Sequence, residues 1–362
     1  MRKLLLSPVF LFLALELSVW TASVKAAPAS EKVRVAVIAS LSGEAASWGE
    51  AIKNGIALGL DQLSPAVRSR LEVRFEDDAL QPKNTITAFN KLNSTGGVDI
   101  VINPSSATSM ALAPLVEVKK ITMLAIATDP EICRGRKYVF NFWVTPETEA
   151  QILIPEAVRR GYRKIARITS LHNGTLAAIG AFDQTNHGRL EVVVDEQYPL
   201  DIKDFRQVIA KVRLRNDVDA IMLTLLPGQL GIFAKQARES GLKQPFFGWE
   251  TFEDVGELKA SNNALVGAWY VNAGDSDGRF IQMYRERFPK ASFYSASNAF
   301  DAILLIGKAV EGGFAPGRVN EFLATLEDFQ GALGTYSATG DQRFLLPAAV
   351  KMVTESGFET LR

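Results

Sequence analysis

Short runs rich in Val, Ile and Leu alternate along the chain with longer segments whose apolar positions recur at helical spacing. The apolar runs are continuous, which is typical of strands covered on both faces. We predict strands at Val33–Ala39, Leu71–Glu76, Val98–Ile102, Ile121–Ala125, Lys164–Thr169, Leu190–Glu196, Val218–Thr224 and Pro245–Gly248. We predict helices at Glu44–Leu63, Pro82–Leu92, Ser109–Lys119, Thr148–Arg160, Asp204–Leu214 and Gln229–Ser240. This alternation predicts an α/β fold with parallel sheets and helices on both faces.

The alternation occurs twice, over residues 30–143 and 144–272. The residues that follow are too few for a third α/β unit of the same size. They contain helical patterns at Gly278–Phe288, Ser295–Glu311 and Arg318–Phe329, and strands at Tyr336–Ser337 and Ala348–Val353. We expect these elements to complete the first two units. No low-complexity linker separates the units, which favours two lobes joined by several short crossings.

The first 26 residues have the pattern of a secretory signal peptide. Arg2 and Lys3 form a short basic region, residues 4–19 are nearly all apolar, and Val24–Ala26 offers small residues for cleavage. The alternative is a membrane anchor. The apolar run is shorter than the ~20 residues that a span requires, and Glu16 interrupts it. We therefore predict an exported protein from which residues 1–26 are removed.

The amino-acid composition limits the classes of function that the protein can have. The chain has 362 residues with 40 basic and 40 acidic side chains, so its formal net charge is zero. A dedicated nucleic-acid binder usually has a basic excess, so we expect no nucleic-acid partner. One Cys excludes an intrachain disulfide framework and a Cys-rich zinc site. His172 and His187 lie in polar surroundings and are interpreted as surface residues, so we expect no enzyme, no cofactor and no metal.

Polar residues follow several of the predicted strands. Ligands of open parallel sheets bind at the carboxyl ends of strands, against helix amino termini, so these segments are the candidate site. Ser105 and Ser106 open the helix after the third strand, and Thr128 lies two residues before Pro130 after the fourth. The dipole and unpaired N–H groups of such helix ends favour a carboxylate. The alternative interpretation is plain helix capping.

Two larger side chains also follow predicted strands. Glu250 comes between Trp249 and Phe252, where a carboxylate would pair with a ligand ammonium, and the alternative is a solvated loop charge. Trp48 lies on the loop after the first strand, where it would cover an apolar ligand group. The alternative for Trp48 is a core aromatic side chain.

In order and spacing these segments resemble the type I periplasmic binding proteins, specifically the branched-chain amino-acid-binding (Leu/Ile/Val) family of ABC importers. No single motif is diagnostic, but the resemblance covers nearly all of the chain after the signal peptide. It rests on Val35–Gly43, Trp48–Gly49, Asn54–Gly55, Glu76–Asp78, Gln81–Lys83, Ser105–Thr108, Ala127–Glu131, Ala237–Leu242, Gly248–Glu250 and Thr335–Asp341.

The resemblance implies two Rossmann-like lobes joined by a three-crossing hinge. The first lobe would comprise residues 28–143 and 273–333, and the second residues 144–272 and 334–362. The protein would then be a periplasmic, monomeric solute-binding component of an ABC importer. It would bind an α-amino acid or a related small carboxylate by hinge closure and deliver it to an inner-membrane permease. The alternative is an exported sensor or interaction protein that uses the same fold.

The resemblance also implies a set of ligand-binding residues in the cleft. These are Trp48, Ser105, Ser106, Ile126, Ala127, Thr128 and Glu250. Ser105 and Thr128 match hydroxyl positions that bind the ligand carboxylate. Ile126 matches a position whose carbonyl accepts from the ammonium, and Glu250 matches the carboxylate that pairs with it. Trp48 matches an aromatic residue that covers the ligand side chain.

The sequence departs from the family pattern in the second lobe. Gly174 and Leu226 stand where members with amino-acid specificity often carry Tyr, so we expect a larger or more apolar pocket there. The first-lobe disulfide of the family also looks absent. Leu80 occupies the position of one common Cys, which leaves Cys133 as an unpaired, buried thiol.

Overall fold

The computed structural model describes residues 32–361. The predicted signal peptide, residues 1–26, lies outside the described residues. The strands form a five-stranded sheet, a seven-stranded sheet and a two-stranded hairpin. None of the helices within residues 32–361 is long and apolar enough to cross a membrane. We call the five-stranded sheet with its covering helices the first lobe, and the seven-stranded sheet with its helices the second lobe.

The first lobe has a wholly parallel sheet. Its strands β1–β5 are Val33–Ala39, Leu71–Asp77, Ile100–Pro104, Thr122–Ile126 and Val139–Asn141. Helices α1–α4 of the same stretch are Ala46–Gln62, Pro65–Arg68, Pro82–Gly96 and Ser106–Lys119. The strand order is β2-β1-β3-β4-β5. The central strands β3 and β4 are buried along their whole length, as their continuous apolar sequences predict.

The second lobe begins with the next β-α alternation and is completed by the end of the chain. Strands β6–β10 are Lys164–Ser170, Glu191–Tyr198, Ala220–Thr224, Phe246–Gly248 and Trp269–Ala273. Helices α5–α9 of this lobe are Pro146–Arg159, Asn173–Asn186, Arg206–Arg213, Leu230–Glu239 and Val255–Ala260, and its strands β13 and β14 are Ala348–Thr354 and Gly357–Thr360. Between β10 and β13 lie helices α10–α12, Gly278–Arg287, Ala296–Glu311 and Val319–Ala324, and the hairpin strands β11 and β12, Phe329–Gly331 and Gly334–Tyr336. Helices α10 and α11 pack against α1 of the first lobe. The order of the large sheet is β14-β13-β10-β9-β8-β6-β7.

The α/β fold and most of the predicted element positions are confirmed. The strands β5, β10, β11 and β14 and the short helices α2 and α9 were not predicted. Other elements differ from the prediction. The second sheet is not wholly parallel, because β13 runs antiparallel to both β10 and β14. The predicted helix over Arg318–Phe329 is shorter, and Phe329 begins the hairpin strand β11. Helix α6 was not predicted, because glycines, Asn and Thr interrupt its apolar pattern.

The chain crosses between the lobes three times. It leaves the first lobe after β5, returns after β10 to form α10 and α11, and leaves again after β12 to add β13 and β14 to the second sheet. Helix α11 packs closely against α1, where a Cβ on Gly55 would lie 2.1 Å from the Ala296 carbonyl oxygen. Only glycine permits this approach. The two lobes are therefore interleaved in sequence.

Candidate ligand-binding site

A cavity of ≈ 40 Å³ lies between the lobes, at the carboxyl ends of strands from both sheets. All seven residues expected at the site line it. They are Trp48, Ser105, Ser106, Ile126, Ala127, Thr128 and Glu250. The structure thus brings together side chains that are up to 202 positions apart in sequence, from Trp48 to Glu250.

Ser105 follows β3 and immediately precedes α4, but its side chain makes no capping hydrogen bond. Its φ of 85° is unusual for a residue other than glycine. Its Oγ lies 3.3 Å from Nε2 of His172 in the second lobe. Ser106 Oγ instead accepts the N–H of Asp129 at 3.1 Å, which links the segments after β3 and β4. Plain helix capping therefore does not describe either hydroxyl.

The segment after β4 differs from the expected helix start. Pro130–Ile132 forms only a three-residue 3-10 helix, and Asp129 caps it. Thr128 is therefore free to point across the cleft, where its Oγ1 donates to Oε1 of Glu250 at 2.7 Å. The carbonyl of Ile126 accepts the backbone N–H of Ser105 at 3.1 Å, which leaves its second lone pair for another donor.

Glu250 is a half-buried carboxyl in the cleft and not a solvated loop charge. It begins a short 3-10 helix, Glu250–Glu253, directly after β9. Burial raises the pKa of Glu250, opposed by the hydrogen bond from Thr128. Burial, reinforced by Glu250, also raises the pKa of Glu149 well above its usual range, and neither Glu149 oxygen has a hydrogen-bond partner in the described part of the chain. Among residues 32–361, no Lys or Arg lines the cavity to balance this acidity.

Trp48 fits both interpretations that its sequence position allows. It lines the cavity and is only 7% exposed within the apolar core of the first lobe. Its ring stacks on Tyr294 at 4.6 Å between centroids, and Trp143 lies against the same tyrosine at 5.5 Å. The indole N–H groups of Trp48, Trp143 and Trp249 have no partner among the described residues. The cavity wall therefore presents apolar surface together with unused donors.

The second-lobe wall departs from expectation at His172. Instead of lying on the surface, His172 lines the cavity, and burial lowers its pKa to about 4. Gly174 leaves little space, because a Cβ there would lie 2.8 Å from Ser106 Oγ. Leu226 is buried and belongs to the apolar cluster that contains Trp48. The wall is therefore apolar at Leu226, and at Gly174 the side chains of Ser106 and His172 occupy the nearby space.

Comparison with known proteins identifies the family. The periplasmic binding protein family model matches residues 32–356. The chain belongs to this family. The resemblance to its leucine, isoleucine and valine branch is also confirmed. The leucine-specific-binding protein of Salmonella typhimurium is 26% identical over 266 residues, which cover 70% of this chain and 68% of that protein. A leucine-, isoleucine-, valine-, threonine- and alanine-binding protein of Pseudomonas aeruginosa is 24% identical over 331 residues, covering 86% and 88%.

Solved structures of other binding proteins share the fold. A leucine binding protein from Thermotoga maritima superposes with a TM-score of 0.85 at 18% identity, covering 91% of this chain and 98% of that one. A branched-chain amino acid binding protein from Streptococcus pneumoniae, in complex with isoleucine, gives 0.82 at 20% identity and covers 91% and 99%. A solute binding protein from R. palustris, in complex with benzoate, gives 0.79 at 18% identity and covers 91% and 95%. These relatives are binding proteins and not enzymes.

Several residues that line the cavity of this periplasmic binding protein could not be predicted from the sequence pattern. Trp143 follows β5, a strand of three residues, and Tyr294 and Ser295 precede α11.

A segment outside the cavity, Gly274–Gly278, has the Gly-x-Ser-x-Gly spacing of a nucleophile elbow. It lies between β10 and α10 and was overlooked in the sequence. Neither His serves Ser276 as a base, because both ring nitrogens of His172 have other partners and His187 ends α6.

Proposed function

We propose that this periplasmic binding protein is the solute-binding component of an ABC importer and holds an α-amino acid, or a related small carboxylate, between its lobes. The observation that carries the proposal is the pairing of Thr128 with Glu250 across the cleft. It sets a hydroxyl donor of the first lobe beside a carboxylate of the second. A ligand that uses both groups gains contacts only when the lobes are closed, so it would stabilise the closed form.

Each group of the site suits one part of such a ligand. Ser105 and Thr128 would donate to the carboxylate. Glu250 and the Ile126 carbonyl would accept from the ammonium, and Trp48 would cover the side chain. The lobes would use residues 28–143 with 273–333 and residues 144–272 with 334–362.

Charge favours an amino acid over an aromatic acid such as benzoate, the ligand named for the R. palustris neighbour. A ligand with only a carboxylate would add a second negative charge beside Glu250, with no Lys or Arg of residues 32–361 lining the cavity. An ammonium group would remove this cost.

The test is a thermal-shift screen of the purified protein with L-amino acids, small carboxylates and aromatic acids, followed by mass spectrometry of any co-purified ligand. A ligand at 100 times its dissociation constant should add about 2.7 kcal/mol to the free energy of unfolding. We expect amino acids to raise the melting temperature and benzoate to leave it unchanged. A protein that responds to none of these compounds would contradict the proposal.

We further propose that the protein acts in the periplasm as a monomer and passes its ligand to an inner-membrane permease. The periplasmic binding proteins that it resembles support this role. Deletion of the gene should reduce uptake of the radiolabelled ligand, and size-exclusion chromatography with light scattering should give the mass of one chain. Normal uptake in the deletion strain would instead favour a sensory role.

A further inference from the structure

The side chain of His172 is fixed at the N-terminus of helix α6. It follows β6 and occupies the N-cap position, where its Nδ1 accepts the backbone N–H of Gly174 at 3.2 Å. Thr175 Oγ1 donates to the His172 carbonyl at 2.8 Å and also to the carbonyl of Ser170. The ring is therefore fixed both by the backbone around it and by its own capping bond.

The capping bond also decides where the proton of the neutral ring lies. Because Nδ1 accepts a backbone N–H, it carries no proton, so the proton of the neutral imidazole is on Nε2. Nε2 faces the first lobe and lies 3.3 Å from Ser105 Oγ. Burial keeps the ring neutral at physiological pH. The second lobe thus presents one oriented, uncharged N–H donor to the cleft.

The space around His172 is shaped by Gly174. A Cβ on Gly174 would lie 3.5 Å from His172 Nδ1 and 2.8 Å from Ser106 Oγ, so the imidazole and Ser106 already enclose this corner of the cavity. The resemblance to the family led us to expect a larger or more apolar pocket here, because position 174 lacks the Tyr, and so the phenol donor, of other members. The imidazole two residues earlier supplies a donor from the same loop.

We propose that His172 is a ligand-binding residue of the second lobe, and that its Nε2–H donates to the ligand carboxylate that Ser105 binds from the first lobe. This inference rests on the proposed function. Two donors 3.3 Å apart are placed to reach the two oxygens of one carboxylate. In the structure, Nε2–H is placed to donate to Ser105 Oγ. Closure of the lobes would thus add a carboxylate contact as well as the ammonium contact of Glu250.

The test uses variants that separate helix capping from ligand binding. His172→Asn keeps a good N-cap residue but is too short to reach Ser105, whereas His172→Gln retains an amide donor of longer reach. His187→Asn is the matched control, because His187 has the left-handed conformation that Asn tolerates and does not line the cavity. The probes are L-leucine and L-alanine, each paired with the amine that lacks its carboxylate, 3-methylbutylamine and ethylamine.

Isothermal titration should show that His172→Asn weakens binding of the better amino acid about 10- to 100-fold, with His172→Gln less affected. The amines should bind the wild type and His172→Asn equally, and His187→Asn should match the wild type. A second measurement uses unaltered protein: imidazole ¹⁵N spectra, assigned with His187→Asn, should place the proton on Nε2 and show a shift of only the His172 signal on adding the amino acid.

The possible failures are distinguishable. If the wild type binds neither amino acid nor any carboxylate of the screen, the proposed function fails and this inference fails with it. If the wild type binds an amino acid and His172→Asn binds it equally well, only the role of His172 is overturned. Equal weakening of amino acids and amines, or an unshifted His172 signal, would also overturn it.

Discussion

The two walls of the cleft are built in different ways. The first-lobe wall consists of short polar segments that directly follow β3 and β4, so Ser105 and Thr128 reach the cavity from strand ends. In the second-lobe wall, Glu250 and His172 also follow strands, but the shape of the wall depends on packing as well. Ser106 and His172 enclose the space beside Gly174, and Leu226 packs into the core of the first lobe. Strand ends therefore place the polar groups of both walls, whereas packing sets the shape of the second.

The largest expected effect on ligand affinity comes from removing the charge of Glu250 in the second-lobe wall. Replacing Glu250 with Gln should weaken binding of amino acids about 100-fold or more, because the ligand ammonium would be buried without its counter-charge. Binding of a carboxylate that lacks an ammonium should not weaken. Glu239→Gln, at the exposed end of α8, is the control. Isothermal titration that shows equal loss for both ligand classes would contradict the role given to Glu250.

A smaller effect on ligand affinity is expected from adding a side chain at position 174. Gly174→Ala should weaken ligand binding roughly 5- to 100-fold, because the new Cβ would press on Ser106 only when the lobes are closed. Gly180→Ala in the same helix is the matched control, since nothing lies within 4 Å of its new Cβ. Unchanged affinity in Gly174→Ala would show that residue 174 does not limit closure.

The two walls should also differ in their response to pH. The folded-state pKa of His172 is lowered to about 4 from 6.5, so its neutral form stabilises the closed protein above about pH 6.5, and this contribution is lost as the pH falls toward 4. The melting temperature of the ligand-free wild type, minus that of His172→Asn, should therefore decrease over this range. A pH-independent difference would mean that the imidazole is solvated and the cleft open without ligand.

The smallest effect is expected at the rim, where the lobes meet through exposed charges. Lys203 Nζ lies 2.9 Å from Glu44 Oε2 across the cleft. Exposed pairs of this kind contribute about 0.2–1 kcal/mol, so Lys203→Met should weaken ligand binding at most about fivefold. The difference should vanish at high salt. Lys235→Met, which removes a pair within one lobe, should have no effect on affinity at any salt concentration.

The same contrast explains what the sequence could predict. The positions of strands β1–β4 of the first lobe, the α/β class and all seven expected cavity residues followed from apolar runs, strand ends and family resemblance. The three-residue strand β5 was not predicted. Helix α6 was missed because its buried positions are mostly small, including Gly174, Thr175 and Ala178. The antiparallel β13 could not be distinguished from a parallel strand by its apolar pattern. The position of the His172 ring depends on the absence of a side chain at Gly174, which the spacing of apolar residues does not reveal.

The antiparallel end of the second sheet also imposes an order on folding. All five strands of the first sheet lie before residue 142, but β13 and β14 of the second come from residues 348–360. A chain that emerges from its amino terminus can therefore pair the first sheet early, while β10 keeps an unpaired edge until the last residues arrive. Truncation before β13 would leave that edge open to other chains. We therefore expect a chain that lacks β13 and β14 to aggregate.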